Sequence, residues 1–171
     1  DGDDVLAGGG RGNGGVSKDI SQLFGDTGDD VLVAVSGKVT ATGGTGRDVF
    51  AIAFDSEEVH LFIKDFNASV DAIDLTGLVA LKAAVQGDSA ATQDRAQALL
   101  DIIANASQTA QGLELNLDGW LDATARSAQY KARIVIEPSA NSDGQLGTQN
   151  FVFAAQPYSP AGWRDDLIAL V

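Results

Sequence analysis

Asp30 and Asp48 stand 18 residues apart in nearly the same sequence context. Each ends a glycine-rich hexapeptide and precedes a short apolar run, in the segments Gly25–Val33 and Gly43–Ala51. Carboxylate oxygens and turn carbonyls are the ligands that Ca²⁺ prefers, usually about six to eight oxygens at about 2.3–2.6 Å. The residue types and their spacing therefore predict the binding of a hard cation.

A nine-residue unit is the element that must position these aspartates. Its six glycine-rich residues predict a turn, because several must adopt backbone angles that a Cβ disfavours. Its last three residues predict a short strand whose central apolar side chain points inward. One unit is half a coil, so two units bring the chain back to the same edge, one strand spacing of about 4.8 Å further on. Asp30 and Asp48 are then expected to lie in stacked turns, with the ion between them.

The unit recurs in weaker form nearer the start of the chain. An opening copy, Gly2–Ala7, contains Asp3 and Asp4. The glycine run Gly8–Gly15 has no aspartate and is equally consistent with a turn or a flexible linker.

Two other units, 16–24 and 34–42, keep Leu23 and Ala41 at the inward apolar position and also lack the aspartate. Fewer ions than a perfect array would hold are therefore expected.

Composition excludes several classes of function. The net charge of −13 opposes binding to nucleic acid and to anionic membranes, and the 20 Asp against 4 Glu favour cation-binding turns. Without cysteine there is no disulfide and no thiolate zinc site, and His60 is the one histidine. No apolar run approaches the roughly 18 residues of a membrane helix. The absence of methionine leads us to expect a segment of a longer protein.

The two nonapeptides resemble the G-G-x-G-x-D-x-U-x repeat of the RTX (repeats-in-toxin) family of calcium-binding parallel β-rolls. The run Ile63–Leu78 is similar to the I-x-D-F-x(4)-D-x-I-D-L segment that commonly follows such repeats, although Leu61 replaces a frequent acid. The resemblance covers roughly residues 1–78 and implies a Ca²⁺ cofactor.

The candidate calcium-binding residues lie in the repeat turns and in the segment after them. They are Asp3, Asp4, Gly10, Gly12, Gly25, Asp26, Gly28, Asp30, Gly43, Gly44, Gly46, Asp48 and Asp65.

Other interpretations of single residues stay open. Asp65, Asp71 and Asp74 are also suited to turns and caps. His60 alternates with apolar neighbours and is expected to face solvent, whereas Glu57 and Glu58 are expected in a solvated turn.

The second half has a different pattern. Helices are predicted at 79–86 and from Ala90 to about Gln108, and strands at 113–117, 130–137 and 150–154. These elements are expected to cap one end of the roll, and the apolar end of the chain resembles a type I secretion signal.

The fold class predicted is mainly β: a short parallel β-roll capped by a C-terminal helix and antiparallel strands. The domains are residues 1–54 (RTX roll), 55–78 (post-repeat segment) and 79–171 (α+β cap, with the secretion signal near 150–171).

The resemblance implies a non-enzymatic, secreted module of a larger bacterial protein that folds on binding Ca²⁺ and meets the type I secretion machinery. The alternative is a calcium-dependent assembly module of a surface-layer or adhesin protein at the cell surface, with contacts between copies. No nucleic-acid binding and no membrane insertion are expected.

Overall fold

The structure is a computed structural model that describes residues 1–9, 20–53, 58–77, 101, 103–118, 131–138 and 146–152. This part of the chain is mainly β, as predicted. Its strands are β1 (Val5–Gly8), β2 (Ile20–Thr27), β3 (Val31–Ala34), β4 (Gly37–Thr45), β5 (Val49–Ile52), β6 (Glu58–Ile63), β7 (Ala72–Asp74), β8 (Ser107–Thr109), β9 (Gly112–Asn116), β10 (Lys131–Ile136) and β11 (Phe151–Val152). A 3₁₀ helix covers Thr148–Asn150.

Strands β1 to β7 alternate between two sheets, so each strand with its turn is half a coil. The first sheet has the order β1-β3-β5-β7-β11, and all its pairs are parallel. The second has the order β2-β4-β6-β10-β9-β8 and is parallel from β2 to β10. This alternation confirms the predicted parallel β-roll.

The strand register carries the period of the repeat. Leu32 pairs with Phe50 in the first sheet, and Leu23 pairs with Ala41 in the second, each across 18 residues. All four side chains are buried in the main core cluster, which confirms the inward apolar positions of the units. Stacking like residues on like positions produces continuous apolar columns through the roll.

The core lies between the two sheets. Phe50 is fully buried, and its ring centroid lies 5.9 Å from that of Phe66, which follows β6. Val33 and Ala51, on the other face of the first sheet, are buried as well. Parallel strands covered on both faces are typically continuous apolar runs, as β3 and β5 are.

The second half of the chain extends both sheets. Strands β9, β10 and β11 confirm three predicted strands, and β9 is antiparallel to β10 as expected. Strand β10 is also parallel to β6, and β11 is parallel to β7, so these two strands continue the roll itself.

The predicted helix ending near Gln108 is wrong at its end. Residues 101, 103 and 104 are helical, but Ser107–Thr109 forms β8 and pairs antiparallel with β9. Gly112, at φ 133°, follows the tight turn between them, and pairing with β9 outweighs the helical propensity of this segment. Residues 90–100 and 102 of that helix, the helix at 79–86, and residues 153–171 of the expected secretion signal lie outside the described residues.

In the described part of the chain, no helix is both long enough and apolar enough to cross a membrane.

Candidate metal centre

The glycine turns stack on one another at one edge of the roll. The N–H of Gly2 donates to Thr27 O at 2.8 Å, and the N–H of Gly28 donates to Thr45 O at 3.0 Å. Gly28 and Gly46 have φ values of 134° and 137°, so successive turns repeat the same backbone conformation.

The stacking leaves no room for side chains between the turns. A Cβ on Gly46 would lie 2.0 Å from Gly28 O, and a Cβ on Gly44 would lie 2.0 Å from Asp26 O. Asp26, which pairs with Gly44, itself has a φ of 70°. Glycine at these positions allows backbone oxygens of one turn to approach the next.

A ladder of buried aspartates runs along the turns. The N–H of Asp4 donates to Asp30 Oδ1 at 2.8 Å, that of Asp30 to Asp48 Oδ1 at 3.1 Å, and that of Asp48 to Asp71 Oδ1 at 3.0 Å. Asp30, Asp48 and Asp71 are 0%, 1% and 6% exposed. Each carboxylate therefore binds the preceding coil. Asp30 and Asp48 lie in adjacent coils, as their 18-residue spacing predicted.

An exposed second ladder has the opposite polarity. The N–H of Asp29 donates to Asp3 Oδ1 at 2.9 Å, and the N–H of Arg47 donates to Asp29 Oδ1 at 2.8 Å. Here each carboxylate binds the following coil, so every turn is tied to its neighbours in both directions.

Burial makes the inner carboxylates costly to ionise. Loss of hydration raises the pKa of Asp30 and Asp71, and raises that of Asp48 from 3.8 to about 6. The hydrogen bond from the Asp30 N–H lowers the pKa of Asp48, while the neighbouring carboxylates of Asp71 and Asp30 raise it again. A column of charges in such an environment favours a bound cation.

One oxygen of this column has the properties of a cation ligand. Asp30 Oδ2 is buried and has no hydrogen-bond partner in the described part of the chain. A Cβ on Gly25 would lie 2.3 Å from Asp30 Oδ2 and 2.5 Å from Gly43 O, so both oxygens border the same space. A Cβ on Gly43 would lie 2.2 Å from Asp48 Oδ2, so this carboxylate oxygen contacts a glycine in the same way one coil later. Oxygens facing a glycine-lined space fit the predicted calcium ion.

This arrangement relies on the backbone. Among the described residues, no three acidic or histidine side chains converge as a metal site. A calcium ion here would therefore take one carboxylate per turn and complete its shell with carbonyl oxygens.

Asp65 binds the backbone of the hexapeptide Gly43–Asp48. Its Oδ1 accepts the N–H of Gly43 and its Oδ2 accepts that of Gly44, both at 2.9 Å. Both oxygens of Asp71 likewise accept a backbone N–H, since its Oδ2 accepts that of Asn67 at 2.8 Å.

Asp71 is the ladder residue that the sequence-based site omitted. The sequence left it open between a turn or cap residue and a ligand, and the structure places it on the rung after Asp48. The signal is the tripeptide 71–73, Asp-Ala-Ile, which matches Asp-Val-Phe at 48–50 and pairs with it in register.

The remaining predicted residues divide into two groups. The turns bring together Asp3, Asp4, Gly25, Asp26, Gly28, Asp30, Gly43, Gly44, Gly46, Asp48 and Asp65. Gly10 and Gly12 lie outside the described residues. Asp74, at the other end of β7, accepts the N–H of Thr76.

Two predictions about β6 need correction. Glu58 is the first residue of this strand and does not lie in the predicted turn. Glu57 lies outside the described residues. His60 does alternate with buried Val59 and Leu61, but its side chain is only 17% exposed and its Nε2 lies 3.1 Å from Glu58 Oε1. Burial lowers the pKa of His60.

Stacked glycine turns joined by a buried aspartate ladder define a parallel β-roll of the repeat type. Over residues 3–144 the chain matches the family described as Peptidase M10 serralysin C terminal. The chain therefore belongs to this family of RTX-type calcium-binding β-rolls. The family forms the non-catalytic C-terminal region of the M10 (serralysin) peptidases.

A solved structure is also similar: the solution structure of the AlgE6R3 subunit from the Azotobacter vinelandii mannuronan C5-epimerase. It is 24% identical, with a TM-score of 0.47, and the match covers 95% of this chain and 84% of that chain. Comparison with curated proteins gave no match.

Proposed function

We propose that this chain is a calcium-binding module that folds as Ca²⁺ enters its stacked turns. The observation that carries the proposal is the buried, unpartnered Oδ2 of Asp30 beside Gly25 and Gly43 O. A buried carboxylate oxygen without a donor is destabilising, typically by about 1–3 kcal/mol or more. A bound ion would turn this cost into a source of stability.

Binding to the folded form alone couples the ion to folding. The ligands of the site come from turns that are stacked only in the roll, so the unfolded chain has no preformed site. Stability then rises with the concentration of free Ca²⁺ relative to the dissociation constant.

The proposed setting is outside the cell, as part of a larger exported protein. Extracellular calcium modules work at about 10⁻⁴–10⁻³ M Ca²⁺. At the far lower cytosolic level, the acidic turns repel one another and keep the chain open for the type I secretion machinery. Folding outside then opposes backsliding and stabilises the exported protein. The role is non-catalytic.

A calcium titration followed by circular dichroism tests the proposal. In metal-free buffer the chain is expected to show little β-structure, and added Ca²⁺ is expected to induce the roll and raise its melting temperature. Asp30→Asn is expected to weaken Ca²⁺ binding by about tenfold or more, because it removes a charged ligand. Asp29→Asn is the matched control, with the same charge change at an exposed neighbour.

Two outcomes would contradict the proposal. One is a wild-type spectrum and melting temperature that are the same in chelator and in Ca²⁺. The other is an equal loss of calcium affinity in Asp30→Asn and Asp29→Asn, which would reduce the effect to net charge.

A further inference from the structure

Asp65 fixes the peptide group between Gly43 and Gly44. Its two oxygens accept the N–H groups of Gly43 and Gly44. The peptide between these glycines is trans, and the C=O and N–H of a trans peptide point in opposite directions. Fixing the N–H of Gly44 on Asp65 therefore turns the carbonyl of Gly43 away from Asp65.

The Gly43 carbonyl consequently faces the neighbouring hexapeptide, Gly25–Asp30. Its oxygen borders the space beside Gly25 that Asp30 Oδ2 also borders. The register explains the geometry, because Ala41 pairs with Leu23 on one side and Ile63 on the other. Asp65 thus lies one strand beyond Gly43, on the side opposite Gly25.

Asp65 is itself firmly placed. The N–H of Lys64 donates to Ala41 O at 3.0 Å, and Phe66 is 3% exposed and packs on Phe50. Residues on both sides of Asp65 are therefore fixed by the sheet and the core.

The carboxylates of Asp65 and Asp30 differ in a decisive way. Both oxygens of Asp65 accept hydrogen bonds, whereas Asp30 Oδ2 accepts none from the described residues. We infer that Asp65 is a positioning residue that aims the Gly43 carbonyl at the candidate calcium ion and does not bind the ion. The inference rests on the proposed function and reassigns a residue that the sequence placed among the ligands.

The test combines calorimetry with carbonyl NMR on Asp65→Asn. The amide nitrogen of Asn cannot accept an N–H, so one of the two hydrogen bonds is lost. We expect calcium affinity to fall about tenfold with an unchanged number of bound ions. We also expect the calcium-induced shift of the Gly43 ¹³C=O resonance to shrink, while that of the Asp30 carboxylate carbon persists.

Glu137→Gln is the matched control, since it removes one charge beside Lys64, to which Glu137 is paired at 2.6 Å. It is expected to change neither the affinity nor the Gly43 resonance. A lower number of bound ions in Asp65→Asn, or unchanged affinity, would overturn the inference.

A second measurement uses the wild-type chain, should Asp65→Asn not fold. Mn²⁺ at low occupancy broadens nuclei according to their distance from the ion. The Asp30 carboxylate carbon is expected to broaden before that of Asp65, and the reverse order would overturn the inference. A wild-type chain that binds no Ca²⁺ would overturn the proposed function as well, so the two failures are distinguishable.

Discussion

Gly46 and Gly2 both have positive φ values but different surroundings. Gly46 has a φ of 137° and its Cβ would meet Gly28 O at 2.0 Å, whereas Gly2 has a φ of 98° and nothing within 4 Å. Gly46→Ala is expected to cost at least about 2–3 kcal/mol, because strain and a backbone clash add together. Gly2→Ala is expected to cost about 1 kcal/mol, for strain alone.

Urea unfolding in saturating Ca²⁺ measures this difference. Because both variants replace a glycine of positive φ by the same residue, Gly2→Ala isolates the contribution of the close approach. Equal losses of stability in the two variants would show that the stacked turns do not touch as described.

Among single residues, the sequence predicted the positions of those that repeat with a constant period. Asp30 and Asp48 are 18 residues apart and occupy adjacent rungs. The interval to the next rung, Asp71, is 23 residues, and Gly43 meets Asp65 across 22. The longer last coil breaks the period, so the hydrogen bonds of Asp65 and Asp71 could not be inferred from spacing.

The same substitution at Phe50 and at Phe24 tests the apolar column of the core. Phe50, in β5, is 0% exposed and lies between Leu32 and Ile73 in register, whereas Phe24, in edge strand β2, is 57% exposed. Phe50→Ala is expected to destabilise the roll by about 3–5 kcal/mol, through lost burial and a cavity.

Phe24→Ala is expected to change stability by no more than about 0.5 kcal/mol, as is usual for exposed sites. The free energies of unfolding of both variants in saturating Ca²⁺ provide the comparison. A loss at Phe24 as large as that at Phe50 would mean that the core is not where the structure places it.

The elements were predicted well where the repeat is intact. Strands β3 and β5 contain the last three residues of the two complete nonapeptides, as predicted. Strands β2 and β4 span 8 and 9 residues, although the units 16–24 and 34–42 predicted short strands. They extend to Thr27 and Thr45, so the first three residues of each hexapeptide predicted as a turn are strand instead. These two strands pair with each other along most of their length, and such long-range pairing cannot be read from a local pattern.

The whole molecule carries a net charge of −13. Its buried aspartates make the stability of the metal-free fold depend on pH. The folded pKa of Asp48, about 6, lies above its ordinary value of 3.8. Its protonated form therefore stabilises the metal-free fold fully below about pH 3.8, and this contribution is lost as the pH rises through about 6. The raised pKa values of Asp30 and Asp71 act in the same direction.

We therefore expect the metal-free chain to be more folded at pH 5 than at pH 7.5, as circular dichroism in metal-free buffer would show. Asp48→Asn is expected to flatten this dependence, because it removes the titrating group. The lowered pKa of His60 contributes with the opposite sign, since its stabilising effect is lost as the pH falls. A wild-type chain that is more folded at pH 7.5 would contradict the expectation.

The 18-residue register between β3 and β5, and between β2 and β4, has an evolutionary consequence. Because Asp30 and Asp48 occupy equivalent rungs, and Leu32 and Phe50 equivalent core positions, a tandem duplication of one full turn of the roll presents the same edge at both junctions. Such a protein can lengthen by copying whole segments of its gene. The 26-residue interval from Asp4 to Asp30 and the 23-residue interval from Asp48 to Asp71 show that extra residues between strands leave the acidic row in phase.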